Sequence, residues 1–367
     1  MRKENFFLMS QTVSDLLFDN TIPKKSCFYF VDRCPLCKSN ETKKLFKQWN
    51  IYYHQCKDCD FVYSNPRLTD EGAYIWYNSD YYNAAMSTEH YIAENFNKYY
   101  SISLNEYHLN KFFEIFNRFN QSKNISIADV GCGSGAVIHY LKDKLGFKNV
   151  VGFDLNASNL KFAARFRKIE IRNVDIFDMD TSQKFDIIIT TENIEHVSDP
   201  IKYVEQIKKI IKPGGYLFLT TPHNDKLATK LMGLSGDHFC APNHQNYFNT
   251  ANLNKLFTTN NFKIDSDWID DTNRFNSYAF LKRFFINRDQ VTGYPPINPS
   301  LKTIWKWKKE INDAVILNGY EANNFSLRDN PLVKNNYNLK SFIKNRLKNL
   351  IPIKFNTHQI LVAKYNG

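Results

Sequence analysis

The chain has 367 residues and a formal net charge of +11, and hydrophobic residues make up 43% of it. This is the composition of an ordinary globular protein, so we expect a real hydrophobic core in one large domain with appendages or in two modest domains. No apolar run reaches roughly 18 residues, which excludes an ordinary membrane-spanning helix, and the first ten residues do not resemble a signal peptide. The positive charge is compatible with nucleic acid, an anionic membrane surface or a phosphorylated substrate.

Two CxxC pairs stand in the N-terminal part of the chain, Cys34 with Cys37 and Cys56 with Cys59, separated by 18 residues. Four thiolates complete the tetrahedral shell of a Zn²⁺ ion at ~2.3 Å per bond. Because such a shell leaves no open position, we expect structural zinc in a zinc-ribbon module over residues 31–64, after an N-terminal arm over residues 1–30. Without a secretion signal the pairs favour metal over disulfides, and hence a cytoplasmic location.

Residues 65–120 are predicted to form a helical linker, and from Ile125 onwards short apolar runs alternate with helical segments. The predicted strands are Ile125–Val130, Asn149–Asp154, Phe185–Thr190, Tyr216–Thr221, Phe262–Trp268 and Gln359–Ala363. The predicted helices are Val137–Leu145, Ser158–Arg167, Pro200–Ile211 and Ala251–Phe257. This alternation predicts an α/β core with a parallel sheet over residues 121–270, completed by a last strand within residues 356–367.

A long insertion over residues 271–355 separates that last strand from the rest of the core. An insertion of this length favours a substrate-facing cap over a bare loop. It includes a predicted basic amphipathic helix, Leu339–Ile351, within a stretch that has six Lys or Arg residues and no acid. This helix is the candidate for peripheral contact with the inner membrane.

A glycine loop, Asp129-Val-Gly131-Cys-Gly133-Ser-Gly135, follows the first core strand and precedes a helix. Glycines let the chain turn tightly and let a ligand approach the backbone, although a purely structural turn has the same pattern. The spacing is not the GxGxxG of dinucleotide binders. Asp154 ends the second strand, where a carboxylate can accept hydrogen bonds from ribose hydroxyls, and Asp175 is placed to accept one from an adenine amino group.

These segments together resemble the class I S-adenosylmethionine-dependent methyltransferase family. The resemblance also rests on Phe185–His196 and on Lys212-Pro-Gly-Gly215. It implies a Rossmann-like, seven-stranded sheet whose last strand is antiparallel, and S-adenosylmethionine as the cofactor. The residues implied to bind that cofactor are Asp129, Gly131, Cys132, Gly133, Gly135, Asp154, Leu155, Asp175, Ile176 and Glu192.

The N-terminal part adds a second resemblance. The order of the two CxxC pairs, Asn65-Pro-Arg67 and Asp80-Tyr-Tyr82 is similar to that of bacterial methyltransferases with an N-terminal zinc-binding domain, many of which belong to surface-polysaccharide or deoxysugar pathways. It implies a small, sugar-containing acceptor. Two other activities stay open: an RNA methyltransferase whose zinc module holds nucleic acid, and a quinone-type O-methyltransferase. A third, non-enzymatic hypothesis is a cofactor-binding regulator with a degenerate site, against which the intact glycine loop counts.

Glu192-Asn-Ile-Glu195-His196 lies beyond the third predicted strand, at the rim where acceptors bind in this family. If a helical turn begins there, Glu192, Glu195 and His196 share one face. The segment resembles the ExxEH sequence of methyltransferases that bind a divalent ion, and His244 stands where some of those enzymes have a further histidine. One alternative is a Mg²⁺ or Mn²⁺ site on Glu192, Glu195, His196 and His244. Another is that His196, with Glu195 and His244, acts in acid–base catalysis or positions the acceptor, and a third is a purely structural role. His223 and His238 are other candidate bases.

Overall fold

The computed structural model of the chain describes residues 15–19, 22–48, 51–95, 109–114, 124–224, 239, 241–270 and 358–367. The predicted insertion over residues 271–355, with its basic helix Leu339–Ile351, and His238 lie outside this part of the chain. Among the helices of the described ranges, none combines the length and the apolar character needed to span a bilayer.

The N-terminal part is a set of short strands followed by two helices. The strands are β1 (Phe18–Asp19), β2 (Ile22–Pro23), β3 (Phe28–Tyr29), β4 (Thr42–Gln48), β5 (Ile51–Cys56), β6 (Val62–Asn65) and β7 (Arg67–Leu68), and the helices are α1 (Asp70–Asn78) and α2 (Asp80–Asn95). Strands β4, β5 and β6 form an antiparallel sheet, while β1 pairs with β2 and β3 with β7. Helix α1 begins where the Thr69 hydroxyl accepts a hydrogen bond from the backbone N–H of Gly72 at 3.1 Å, a typical N-cap.

The rest of the described chain builds a sheet with helices on both faces. Its strands are β8 (Ser126–Val130), β9 (Asn149–Phe153), β10 (Ile171–Arg172), β11 (Phe185–Thr191), β12 (Ile211–Pro222), β13 (Asn246–Tyr247), β14 (Phe262–Asp270) and β15 (His358–Tyr365), and its helices are α3 (Ala136–Asp143), α4 (Ala157–Phe162), α5 (Pro200–Ile210) and α6 (Thr250–Thr258). All of these strands except β13 share one sheet, in the order β10-β9-β8-β11-β12-β15-β14. Strands β10, β9, β8, β11 and β12 run parallel, and β15 runs antiparallel to both neighbours. The predicted α/β fold with a mostly parallel central sheet is confirmed.

The sheet forms here because its central strands can be buried on both faces. Ile187, Ile188 and Ile189 of β11 follow one another with no exposed surface, as expected of a parallel strand covered by helices above and below. Most predicted boundaries shift by one or two residues, and two differ by more. The second core helix changes at Ala163 into a turn of π-helix, and β12 begins at Ile211 rather than Tyr216, because Ile211 already pairs with Phe185.

The N-terminal strands and the α/β part are continuous with each other. Strand β13 belongs to the second half of the chain, yet it pairs with β6 and completes a four-stranded sheet with β5 and β4. The two parts also share a core, in which the rings of Phe61 and Phe248 lie 4.9 Å apart between centroids. Residues 246–248 are therefore held against the N-terminal sheet.

Candidate active site

The glycine loop connects β8 to α3 and exposes its backbone to a cavity. Gly131, Gly133 and Gly135 all have positive φ angles, of 72°, 53° and 77°, a region that side chains with a Cβ atom rarely occupy. A Cβ on Gly131 would lie 1.9 Å from Nδ2 of Asn193, whereas one on Gly133 would meet nothing within 4 Å. The loop is thus closed on one side by Asn193 and open at Gly133.

Two of the predicted acids lie beside this loop with their carboxylates fixed by backbone N–H groups. Asp154 accepts hydrogen bonds from the N–H of Gly133 and of Asn156, both at 2.8 Å. Asp175 accepts one from the N–H of Phe177 at 2.9 Å. Burial raises the pKa of both carboxyl groups above the ordinary value of 3.8. Each carboxylate is therefore oriented before any ligand binds.

Asp129 lies behind the loop rather than in it. Its side chain is fully buried, and neither carboxylate oxygen has a hydrogen-bond partner within the described ranges. Burial, with a smaller contribution from the charge of Asp154, raises the pKa of Asp129 to about 8. Such an unpartnered buried carboxyl is costly in the fold and is typical of a functional site.

A cavity of about 420 Å³ joins these groups to the rim, a volume within the usual range for small-molecule sites. Ten predicted site residues line it: Gly131, Cys132, Gly133, Asp154, Leu155, Asp175, Ile176, Glu192, His196 and His244. Asp129, Gly135 and Glu195 are not among the lining residues. Helices α1 and α2 add Asp70, Tyr77, Tyr82 and Met86. Sequence reasoning did not assign these residues to the site; the available signals were the aromatic character of the segment and the family pattern Asp80-Tyr-Tyr82.

The rim of the cavity brings two histidines and a buried acid together. The rings of His196 and His244 lie 4.6 Å apart between centroids, and Nε2 of His196 lies 3.7 Å from Oε1 of Glu195. Glu195 is fully buried, and its other oxygen accepts a hydrogen bond from the Thr221 hydroxyl at 2.9 Å. Burial raises the pKa of Glu195 well above 4.5 and lowers that of His196 below 6.5.

Glu192 does not join this cluster, because the helical turn on which a shared face depended does not form. Glu192 has a left-handed φ of 51°, and residues 194–196 form a single turn rather than a helix. Its Oε1 accepts a hydrogen bond from the Thr220 hydroxyl at 2.9 Å, and its Oε2 lies 3.4 Å from Nε2 of His358. The ligand atoms of Glu195, His196 and His244 lie within 4.8 Å of one another, so three of the four predicted divalent ligands come together.

His223 also lies away from the cavity rim. Its Nε2 is 3.4 Å from the Thr250 hydroxyl at the start of α6, and it does not line the cavity. The predicted role as a base therefore has no geometric support at His223.

Arg67 connects the two segments that form the rim. Its side chain has no exposed surface, and it is hydrogen-bonded to the backbone carbonyls of Val197, Ser198 and Gln245 at 3.0–3.3 Å and to Oδ1 of Asn246 at 2.7 Å. Sequence reasoning noted Asn65-Pro-Arg67 only as part of a family pattern and missed this contact.

The four cysteines of the CxxC pairs lie close together. The Sγ atoms of Cys34 and Cys59 are 3.7 Å apart, and those of Cys37 and Cys56 are 3.4 Å apart; a tetrahedral Zn²⁺ with four thiolates would separate them by about 3.8 Å. Both pairs have the same turn. The carbonyl of the first cysteine accepts a hydrogen bond from the N–H four residues later, and the N–H of the first cysteine donates to the carbonyl five residues later. The donor set and its spacing fit a zinc ion.

Comparison with known proteins is consistent with this geometry. Residues 104–267 match the family model described as a methyltransferase domain. The chain is 30% identical over 115 residues to the mitochondrial ubiquinone biosynthesis O-methyltransferase of Dictyostelium discoideum, covering 27% of this chain and 36% of that protein. It is 31% identical over 123 residues to the ubiquinone biosynthesis O-methyltransferase of Actinobacillus pleuropneumoniae serotype 7 (strain AP76), covering 30% of this chain and 52% of the relative.

Among solved structures, the chain is similar to Haemonchus contortus phosphoethanolamine N-methyltransferase 2 in complex with S-adenosyl-L-methionine, with 14% identity, a TM-score of 0.44 and coverage of 89% of this chain and 71% of that one. The chain spans about a third to a half of the length of the two curated relatives above. Residues 104–267, which include the glycine loop, Asp154 and Asp175, are therefore similar to a methyltransferase domain.

Proposed function

We propose that the chain transfers a methyl group from S-adenosylmethionine to a hydroxyl oxygen of a small acceptor. The observation that carries this proposal is the cavity that has the glycine loop, Asp154 and Asp175 at one end and His196 at the other. The bound cofactor supplies a methyl group on a sulfonium, which is already an excellent leaving group. The residues of the chain therefore have to bind, orient and deprotonate the acceptor.

At the cofactor end, the donor and acceptor groups fit an adenosyl ligand. The backbone at Gly133 borders open space, since a Cβ there would meet nothing within 4 Å, so a ligand can approach the loop closely. The carboxylate of Asp154, already held by the Gly133 N–H, is placed for the ribose hydroxyls. Asp175 and Ile176 lie further along the same cavity, where they would contact the adenine. Asp129 does not line the cavity and would therefore not contact the cofactor directly.

At the acceptor end, His196 is arranged as a proton acceptor. Its Nδ1 lies 3.1 Å from the carbonyl oxygen of Asn243, and because a carbonyl only accepts hydrogen bonds, Nδ1 carries the proton. Nε2 then keeps its lone pair. Burial lowers the pKa of the ring, which keeps it neutral at neutral pH. His196 therefore accepts the acceptor's proton, with His244 and Glu195 beside it.

Two acceptor classes carry such a hydroxyl. The names of the curated relatives support a ring hydroxyl of the kind found in quinone precursors, and Tyr77 and Tyr82 offer aromatic surface along the cavity. The resemblance of the four-cysteine module supports a sugar-containing acceptor. A panel of catechols and nucleotide-sugars, assayed with isotope-labelled methyl donor and mass spectrometry, separates the two.

The rim also fits a divalent cation. Oε1 of Glu195 is buried without a hydrogen-bond partner among the described groups, and two imidazoles with one carboxylate suit Mn²⁺ or Zn²⁺ better than Mg²⁺, which prefers oxygen ligands. Glu195, His196 and His244 would hold the ion, which would polarise the acceptor hydroxyl. Titration of Mn²⁺ into zinc-loaded protein decides between the two roles: no heat, together with full activity in a strong chelator, excludes the ion.

Cofactor binding is tested by calorimetry with S-adenosylhomocysteine, the demethylated product. We expect Asp154→Asn to weaken binding by about 10- to 100-fold, since a ribose hydroxyl loses a charged acceptor. Asp180→Asn is the matched control, because Asp180 is exposed, lies outside the cavity lining and accepts hydrogen bonds from Ser182 nearby. If the wild-type protein is folded and binds neither the product nor the methyl donor at millimolar concentration, the proposal fails.

A further inference from the structure

A buried charge at Arg67 connects the N-terminal module with the rim of the cavity. Its hydrogen-bond acceptors are backbone carbonyls and one side-chain amide oxygen, and no ion pair to it is present within the described ranges. Burying a guanidinium without a carboxylate partner is costly. The buried position of Arg67 is therefore better explained by the geometry that its side chain imposes on its acceptors than by a gain in stability.

The acceptors of Arg67 lie directly beside the two rim histidines in the chain. Nε and Nη2 donate to the carbonyl of Ser198, two residues after His196. Nη1 donates to the carbonyl of Gln245, the residue after His244. A single planar group therefore bonds to both segments, and its position sets the distance between them.

Further hydrogen bonds carry this constraint to the rings. The Gln245 side chain donates to the carbonyl of His196 at 2.7 Å, and its backbone N–H donates to the carbonyl of Glu195 at 2.7 Å. The Asn246 amide, whose oxygen bonds to Arg67, donates to the carbonyls of Ile194 and Val197. The segments are thus joined on both sides of the His196–His244 contact.

We infer that Arg67 is a positioning residue, which holds His196 and His244 opposite each other at the acceptor end of the cavity. The inference rests on the proposed function for its kinetic consequence only. Lysine has the same charge but cannot replace arginine here, because a single ammonium cannot donate in the plane of a fork to two separate segments.

The test compares Arg67→Lys with Arg33→Lys, since Arg33 is an exposed arginine of the same module. We expect Arg67→Lys to lower kcat for the acceptor by about 100-fold, the effect of a displacement near 1 Å, with unchanged affinity for S-adenosylhomocysteine. Proton NMR of histidine-labelled protein should lose the nuclear Overhauser contact between the His196 and His244 rings. Guanidinium ion added to Arg67→Ala should restore part of kcat. Arg33→Lys should match wild type in every readout.

Wild-type kcat and an intact ring contact in Arg67→Lys would overturn the inference and leave the proposed function standing. A wild-type protein that methylates nothing in the panel, with the ring contact still lost in Arg67→Lys, would refute the proposed function and leave the positioning role of Arg67 standing. If Arg67→Lys does not fold, Asn246→Ser removes the side-chain amide that accepts from Arg67. We then expect the same loss of kcat and of the ring contact, with unchanged affinity for S-adenosylhomocysteine. Equal loss of cofactor affinity and kcat in that variant would indicate a merely structural role and refute the inference.

Discussion

The buried carboxyl of Asp129 gives a quantitative prediction for Asp129→Asn. In the unfolded chain this group titrates near its ordinary pKa of 3.8, and in the ligand-free fold burial raises the pKa to about 8. Between these two values the folded protein keeps a proton that the unfolded chain releases. The stabilisation is therefore complete at low pH and is lost progressively as the pH rises through that window.

The size of the effect follows from the same two values. Each pH unit inside the window lowers the free energy of unfolding by up to about 1.4 kcal/mol, so the group alone should cost about 2 to 3 kcal/mol between pH 5 and pH 7. Asp154, Asp175 and Glu195 also have raised pKa values and add to the wild-type slope with the same sign. The difference between wild type and Asp129→Asn isolates the contribution of Asp129.

Urea unfolding of ligand-free protein at three pH values in that range measures the slope. We expect the slope to be flatter in Asp129→Asn by the amount above. Asp180→Asn is the control, because its hydrogen bonds to Ser182 lower the pKa of Asp180 and its loss cannot flatten the slope. Parallel pH dependences in wild type and Asp129→Asn would refute the claim that this carboxyl is protonated in the fold.

Two further predictions address the glycine loop and the cysteines. Gly131→Ala should abolish cofactor binding, as measured by calorimetry, because its Cβ would lie 1.9 Å from Nδ2 of Asn193. Gly146 has nearly the same positive φ but faces open space, so Gly146→Ala should keep cofactor binding and should lower the free energy of unfolding in urea by only about 1 kcal/mol. Equal cofactor binding by the two variants would contradict this reasoning. Cys56→Ser should lose the zinc that elemental analysis detects in the wild-type protein. Cys27→Ser should keep it, since Cys27 lies outside the cluster of four cysteines. Full zinc content in Cys56→Ser would exclude the four-thiolate site.

The cofactor end of the site could be predicted from the sequence because its residues follow consecutive strands. Gly131 and Asp154 each stand just after an apolar run, and Asp175 follows the short strand β10; parallel strands bring their carboxyl ends to one edge of the sheet. The local spacing of the cysteine pairs likewise predicted that Cys34 and Cys56 would meet. In both cases a short-range pattern was enough.

The acceptor end depends on contacts that no local pattern encodes. Whether Glu192 points to the rim depends on its left-handed φ and on Thr220, a residue of a neighbouring strand. Arg67 reaches Gln245 across almost half of the chain. Tyr77 and Tyr82 form part of the cavity wall because α1 and α2 pack against the loop that follows β9. In that loop, the side chain of Asn156 donates hydrogen bonds to both helices.

The pairing of β13 with β6 has a consequence for biosynthesis. Val62 and Tyr63 leave the ribosome long before Asn246 and Tyr247 are made. The cysteine turns are local and can form early, but the edge of β6 has no partner strand until the later segment emerges. A nascent chain that stalls before Asn246 would present that edge to other chains, so the interval before β13 arrives is a stage of synthesis at which the N-terminal sheet is exposed to aggregation.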